Sequence, residues 1–258
     1  MKRVLTVLCF CALLGSGSLL AAVPVNDRRD VAPDALIEVS LVSGSVQVTG
    51  WDRSEMELTG SLGDEDQKLE ISGGKSRLKI KVRLPSKERE PEPSNLVLRV
   101  PRGGQIEVEN ISGPITITDM TARVDVDSIS GDVVIKGKPR RLELNTVSGE
   151  ITVDDGDSLE NAEVKSVSGS IEARLRFRPG ASFDFETVSG GITLRFPGTA
   201  SADFEISTFS GDIASDFGGK PIQKSSFLPA KELEFTLGSG GAQVEVSSYR
   251  GAIRIVKE

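Results

Sequence analysis

The sequence predicts an all-β chain wound as a parallel β-solenoid, right-handed and β-helix-like, with coils of 18 to 21 residues. The first observation behind this is a recurring tripeptide, an apolar residue followed by Ser-Gly. It occurs as Val42-Ser43-Gly44, Ile111-Ser112-Gly113, Ile129-Ser130-Gly131, Val147-Ser148-Gly149, Val167-Ser168-Gly169, Val188-Ser189-Gly190 and Phe209-Ser210-Gly211, with Tyr249-Arg250-Gly251 as a degenerate copy. The second is its spacing: glycines from Gly113 to Gly211 are 18, 18, 20, 21 and 21 residues apart, and a fixed period of this size marks a stack of repeats. The third is strict alternation of apolar residues on both sides of each glycine, which is the period of a β-strand.

Aligned on the glycine, the pairs Val124/Val126, Leu142/Leu144, Phe183/Phe185 and Phe204/Ile206 precede it, and Ile115/Ile117, Val133/Ile135, Ile151/Val153 and Ile192/Leu194 follow it. Each coil therefore reads as strand, Ser-Gly corner, strand and return turn. Stacked coils place equivalent strands about 4.8 Å apart and turn alternate side chains into inward aliphatic ladders. Right-handed winding follows from the preference of parallel crossovers. The interval from Gly211 to Gly251 reads as two coils, the middle glycine being replaced near Lys231, so that eight rungs are expected from Gly113 to Gly251. Nine of the ten phenylalanines lie from Phe177 onward, and their alternation with Asp184, Glu186 and Glu205 predicts a wider, aromatic core toward the C-terminus.

Residues 36–95 are expected to form divergent N-terminal coils that begin and cap a single domain spanning 36–258, with regular repeats over 96–258 and an extension over 23–35. Leu69-Glu70-Ile71 and Leu78, Ile80, Val82 and Leu84 read as strands joined across Gly73-Gly74-Lys75-Ser76. The other face of the second strand, Arg77, Lys79, Lys81 and Arg83, is read as charge that protects a sheet edge. Ser86 to Ser94 reads as a loop.

Lys2 and Arg3, the apolar run Val4 to Leu14 and the small residues ending at Ala21 and Ala22 have the layout of a secretory signal peptide over 1–22. Cys9 and Cys11 both fall within it, so cleavage after Ala22 leaves no disulfide. No later apolar stretch is long enough to span a bilayer. The expected location is the periplasm, the cell surface or the medium.

Composition narrows the chemistry. The chain has no histidine and a formal charge of -7, which excludes histidine-based nucleophile systems and histidine-ligated zinc and argues against nucleic acid. Stacking turns each repeat position into a column. The serines before the glycines are read as corner residues bonding turn backbone. Asn110, Ser128, Thr146, Ser166, Thr187, Thr208 and Ser248, three before the glycine, face inward and bond between rungs.

Six before the glycine stand Glu38, Glu107, Asp125, Glu143, Glu163, Asp184, Glu205 and Glu245, all expected outward. Neighbouring charges about 4.8 Å apart repel by about 0.9 kcal/mol even in bulk water. The line Glu107, Asp125, Glu143, Glu163, Asp184 and Glu205 is therefore the candidate site, for divalent cations or for a basic partner surface, set against the plainer reading of a solvated sheet face that resists aggregation. No other cofactor is expected. Asp154-Asp155-Gly156-Asp157 reads as a polar turn. Lys136, Lys138, Arg140, Arg141, Arg174, Arg176, Arg178 and Arg195 read as a charge-balancing edge.

The Ser-Gly corners, Val48-Thr49-Gly50-Trp51 and Leu98-Arg99-Val100-Pro101-Arg102-Gly103 leading into Ile106-Glu107-Val108 resemble the adhesin-like domain of unknown function found in bacterial envelope proteins. That resemblance implies an exported β-solenoid without an assigned catalytic set. The expectation is a noncatalytic envelope protein that contacts a polymer, a surface or another protein. The alternative is a polysaccharide-active β-helix enzyme, a lyase or hydrolase using carboxylate, Lys and Arg chemistry; a third is a structural or signalling component without a ligand.

Overall fold

Alternation at every second residue dictates extended backbone, and the computed structural model contains strands and turns without helix among the described residues, which are 22–84, 92–155, 159–176, 178–225 and 228–258. The segment expected to be a signal peptide, up to residue 21 with Cys9 and Cys11, most of the loop expected at Ser86 to Ser94, Gly156 and Asp157 of the acidic cluster, and Phe177 lie outside them.

The N-terminal part comprises β1 (Val23–Asp30), β2 (Leu36–Trp51), β3 (Glu55–Leu62), β4 (Lys68–Gly73), β5 (Arg77–Arg83) and β6 (Ser94–Pro101). The repeats supply β7 (Gln105–Ser112), β8 (Ile115–Thr118), β9 (Arg123–Ser130), β10 (Val133–Gly137), β11 (Arg141–Ser148) and β12 (Ile151–Asp155). They continue with β13 (Asn161–Ser166), β14 (Ile171–Arg174), β15 (Ser182–Thr187), β16 (Ile192–Phe196), β17 (Ala202–Thr208) and β18 (Ile213–Ser215). The chain ends with β19 (Ile222–Ser225), β20 (Leu228–Leu237), β21 (Ala242–Ser248) and β22 (Ile253–Lys257).

Strands before the corner glycines build one sheet, B, in the order β4-β5-β2-β7-β9-β11-β13-β15-β21-β17-β20-β19. Strands after them build sheet A, in the order β1-β3-β6-β2-β8-β10-β12-β14-β16-β22-β18. The long β2 runs through the corner at Gly44 and belongs to both. Pairing is parallel except at the two ends, where β1–β3, β3–β6, β4–β5, β17–β20 and β19–β20 are antiparallel. The result is an all-β, mostly parallel, solenoid-like stack.

The inner faces form one core. Val108, Val126, Leu144, Val164 and Phe185 stack from sheet B, and Ile117, Ile135, Val153, Ala173 and Leu194 from sheet A, all buried. The aromatic C-terminal core expected from the sequence is present: Phe183, Phe185, Phe196 and Phe204 are buried, and Phe204 meets Phe196 edge-on at 5.4 Å and stacks on Phe235 at 4.6 Å.

The order of coils differs from the sequence order at both ends. β2 sits inside the stack, with β5 and β6 on its outer side, and β1 extends sheet A beyond β3. β5 is therefore not an edge strand, because β4 covers it; its cations have another role, described below. At the other end β21 and β22 insert between β15/β16 and β17/β18. The coil expected around Lys231 does not exist. β20 instead turns back antiparallel on β17, with Leu233 opposite Ile206 and Phe235 opposite Phe204. Seven glycine corners, not eight rungs, run from Gly113 through Gly251 to Gly211, preceded by Gly44.

The reason is visible at the corners. A Cβ on Gly131 would lie 2.2 Å from the carbonyl oxygen of Gly113, and φ there is +140°. A lysine cannot take such a place, so Lys231 cannot make a corner. Gly131→Ala should lower unfolding free energy by at least about 2 kcal/mol in denaturant titration. Gly74→Ala, where a Cβ would meet nothing within 4 Å, should stay within about 0.5 kcal/mol of wild type.

Candidate functional site

Parallel register carries each sequence column into a physical row. On the outer face of sheet B the row reads Glu38, Glu107, Asp125, Glu143, Glu163, Asp184, Glu245, Glu205 and Glu234, one residue per strand. All six carboxylates of the expected line are brought together on one face. Two details escaped the sequence. Glu245 separates Asp184 from Glu205 because β21 inserts there, and Glu234 extends the row because β20 is antiparallel.

The row is compensated unevenly. Glu38 is only 7% exposed and lies under Arg77 and Lys79, so the β5 cations neutralise the first carboxylate, and Arg83 pairs with Glu70 on β4. Arg123 bridges two rungs, reaching Asp125 at 2.7 Å and Glu143 at 2.9 Å, and Lys165 pairs with Glu163. Glu205, Glu234 and Glu245 have no cationic partner among the described residues. Burial pushes the Glu107 carboxyl pKa up, with the charges of Glu38, Asp125 and Glu109 adding to it and Arg77 opposing. Burial likewise raises Asp184, against Lys165 and with Glu163 and Glu186.

The cation reading meets a geometric obstacle. Among the described residues no three carboxylates converge closely enough to hold one metal ion. The carboxylates form a line, not a cage, and each strand contributes one.

Two residues beyond the carboxylates lies a second outward row, containing Glu109, Asp127, Asn145, Lys165 and Glu186. Asn145 Nδ2 donates to Asp127 at 3.1 Å and Ser40 Oγ donates to Glu109 at 3.0 Å. The hydroxyl row between this one and the corner faces inward as expected, Thr187 being 1% exposed. Its members serve the corners: Ser166 Oγ accepts from Gly169 N at 2.9 Å, and Asn110 Nδ2 donates to the carbonyls of Gly44 and Gly113. Of the corner serines, Ser148 donates to the Ile129 carbonyl.

The residue just before each corner serine is the one that sequence reasoning missed. Ile111, Ile129, Val147, Val167, Val188, Tyr249 and Phe209 are all exposed, Ile129 at 51%. They form an apolar ridge along the stack, and at its C-terminal end the rings of Phe209 and Tyr249 stack at 4.9 Å. Strand parity could have found it: if the hydroxyl faces in, the next residue faces out. Phe209 thus departs from the expected core role of the phenylalanines. Between the ridge and the second polar row runs a groove of about 740 Å³ that crosses β5, β2, β7, β9, β11, β13 and β15, with Lys81 of β5 and Lys165 among its lining residues.

Of the eight cations expected after the corner glycine and in its turn, Arg140, Arg174, Arg178 and Arg195 form ion pairs, and Arg141 lies instead in β11 on sheet B. Arg140 and Arg178 meet Glu160, Arg174 meets Asp154 and Glu258, and Arg195 meets Glu172. That agrees with a charge-balanced face. Asp154 lies in β12 and not in a turn.

Fold and surface together define a repetitive all-β protein that presents long rows of side chains. The chain belongs to the Toastrack DUF4097 family, whose model matches residues 36–256; the domain has no known function, and the match bears out the resemblance drawn from the corner motifs. Similar solved structures include a provisionally named adhesin from Bacteroides fragilis, at 13% identity, covering 90% of this chain and 97% of that one with a TM-score of 0.48. A provisionally named cell adhesion protein from Clostridium sporogenes has 10% identity, 91% and 100% coverage and a TM-score of 0.41. A provisionally named lipid-binding protein from Parabacteroides distasonis has 14% identity, 91% and 97% coverage and a TM-score of 0.35. No curated protein matches the chain.

Because folding raises the Glu107 and Asp184 pKa values, the ionised carboxylates oppose the native state at neutral pH, and that penalty disappears as pH falls through the raised pKa toward the unfolded value. Glu107→Gln and Asp184→Asn should each raise the melting temperature at pH 7. The gain over wild type should shrink on acidification and vanish below about pH 4.

Proposed function

We propose that this protein is an exported, noncatalytic binding protein of the bacterial envelope, wound as right-handed coils, and that the outer face of sheet B is its contact surface. One observation carries the reading: an unbroken row of carboxylates lies beside an exposed apolar ridge on the same sheet. A passive solvated face gains nothing from lining up like charges, and exposed apolar residues scattered singly need no explanation, whereas a continuous stripe marks a contact surface. The basic segment, apolar run and small residues preceding Val23 support export. No helix among the described residues is long and apolar enough to cross a membrane.

The noncatalytic part of the reading is supported by the regularity of the face. Acid–base chemistry pairs an acid with a base in a recess, whereas the row contributes one carboxylate per strand and the concavity at its C-terminal end is lined by Asp184, Asp203, Glu205, Glu234 and Glu245 with no Lys or Arg among its lining residues. Contact with a basic surface is favoured over divalent cations because of the same one-per-strand spacing.

Sedimentation with washed envelopes tests this. The protein should co-sediment at low salt, and Asp125→Asn/Glu143→Gln/Glu163→Gln should reduce the bound fraction about tenfold while keeping the fold, with no soluble glycan fragments released. Unchanged binding by the triple variant, or release of fragments by the wild type, would count against the proposal.

A further inference from the structure

We infer that the groove beside the apolar ridge binds a cationic amphipathic α-helix of a partner polypeptide, an inference that rests on the reading of sheet B as the contact face. The first ground is shape. From Val82 to Val188 the groove crosses seven strands, and at about 4.8 Å per strand it is about 29 Å long, the length of about 19 helical residues. The ridge offers one apolar side chain at each step of about 4.8 Å, close to the helical pitch of about 5.4 Å. An apolar stripe on a helix can therefore follow it.

The second ground is the backbone. The groove runs across paired strands, so its walls are side chains and its sheet hydrogen bonds are already made. An extended peptide lying there would leave its own N–H and C=O groups unmatched, whereas a helix satisfies them internally. The nearest open sheet edges lie at the ends of the stack, away from the ridge.

The third ground is charge. From β7 to β15 the outer face of sheet B carries Glu107, Glu109, Asp125, Asp127, Glu143, Glu163, Asp184 and Glu186 against Arg123, Arg141 and Lys165. The cations are already engaged in part, Arg123 with Asp125 and Glu143 and Lys165 with Glu163. On the far side of the ridge, just past the corners, stand the exposed Asp132 and Glu150. The apolar stripe is thus flanked by an excess of acid, with Lys81 and Lys165 the cations that line the groove itself. A second copy of this chain or an anionic lipid surface would bring like charge against that excess. A helix with a leucine-type stripe flanked by Lys or Arg matches the ridge and the acidic excess beside it at once.

The probe is a fluorescein-labelled peptide of about 18 residues composed of Leu and Lys with Leu at helical spacing, added to the full chain and followed by anisotropy. Controls are a scrambled peptide of the same composition and the Leu/Glu counterpart. The patterned peptide should bind, the scramble about tenfold more weakly and the Leu/Glu peptide not at all. Ile129→Ser/Val147→Ser should weaken binding about tenfold, and Glu109→Gln/Asp127→Asn should weaken it at low salt and less at high salt. Should the first ridge variant unfold, Ile111→Ser/Val167→Ser replaces it, all four side chains being exposed. Equal binding of the scramble, or binding indifferent to both ridge variants, overturns the inference, as does tighter association with phosphatidylglycerol vesicles than with the patterned peptide. Loss of envelope binding in the carboxylate triple variant together with no peptide binding would refute the helix partner and leave the contact face standing. Failure of both would remove the contact face as well.

Discussion

Everything in this fold depends on how closely the backbone packs at the corners. On each rung the carbonyl oxygen of the corner glycine occupies the space that a side chain on the next corner would need: a Cβ would come within 2.2 Å at Gly113, 2.3 Å at Gly149 and 2.0 Å at Gly190. The contact runs unbroken from Gly44 through Gly113, Gly131, Gly149, Gly169, Gly190 and Gly251 to Gly211. Only a residue without a side chain permits it. Gly113, Gly131 and Gly149 also need positive φ, while Gly169, Gly190, Gly211 and Gly251 make the same contact without it. The shorter coils thus use one corner geometry and the longer coils another.

Close stacking at the corners forces the strands into register, and register converts sequence positions into rows with opposite chemistry on the two faces. Inside, most of the row bonds the corner backbone where water cannot reach, which is what buried polar groups require, while Ser128 Oγ and the Asn110 side-chain oxygen are left without a partner among the described residues. Outside, carboxylates become lateral neighbours, and the chain tolerates them by placing Arg77 and Lys79 over Glu38 and threading Arg123 between Asp125 and Glu143. Burial first, and the neighbouring carboxylates second, leave Glu107 with a raised pKa, and burial leaves Asp184 with one despite Lys165. The ridge is the other consequence. The residue between an inward hydroxyl and a corner serine has nowhere to go but out, and on every rung that residue is apolar.

Much of this was legible in the sequence because parity and spacing are local properties. The glycine period, the inward ladders, the hydroxyl row, the β4–β5 hairpin and the outward carboxylates all follow from counting along one strand. Order in the stack is a long-range property and left no such mark. Nothing near Glu245 announces that β21 lies beside β15, and the 40-residue interval from Gly211 to Gly251 fits two coils as well as it fits the hairpin that β20 makes. Arg77, Lys79, Lys81 and Arg83 looked like edge protection because the strand that covers them pairs antiparallel and lacks the corner motif. The apolar ridge obeys the same parity, since the residue after an inward hydroxyl on a strand must face out.

The arrangement of rungs, and with it the continuous outer row, is tested most directly by cross-linking across the inserted coil in a chain whose Cys9 and Cys11 are replaced by serine. Adjacent parallel strands are about 4.8 Å apart and alternate ones about twice that, while a disulfide spans Cα separations of about 4.4–6.8 Å. Asp184→Cys with Glu245→Cys should therefore form a disulfide in the folded protein under mild oxidation, and Asp184→Cys with Glu205→Cys should not. Ready bridging of positions 184 and 205 without bridging of 184 and 245 would mean that the coils stack in chain order and that the outer row is not the one described.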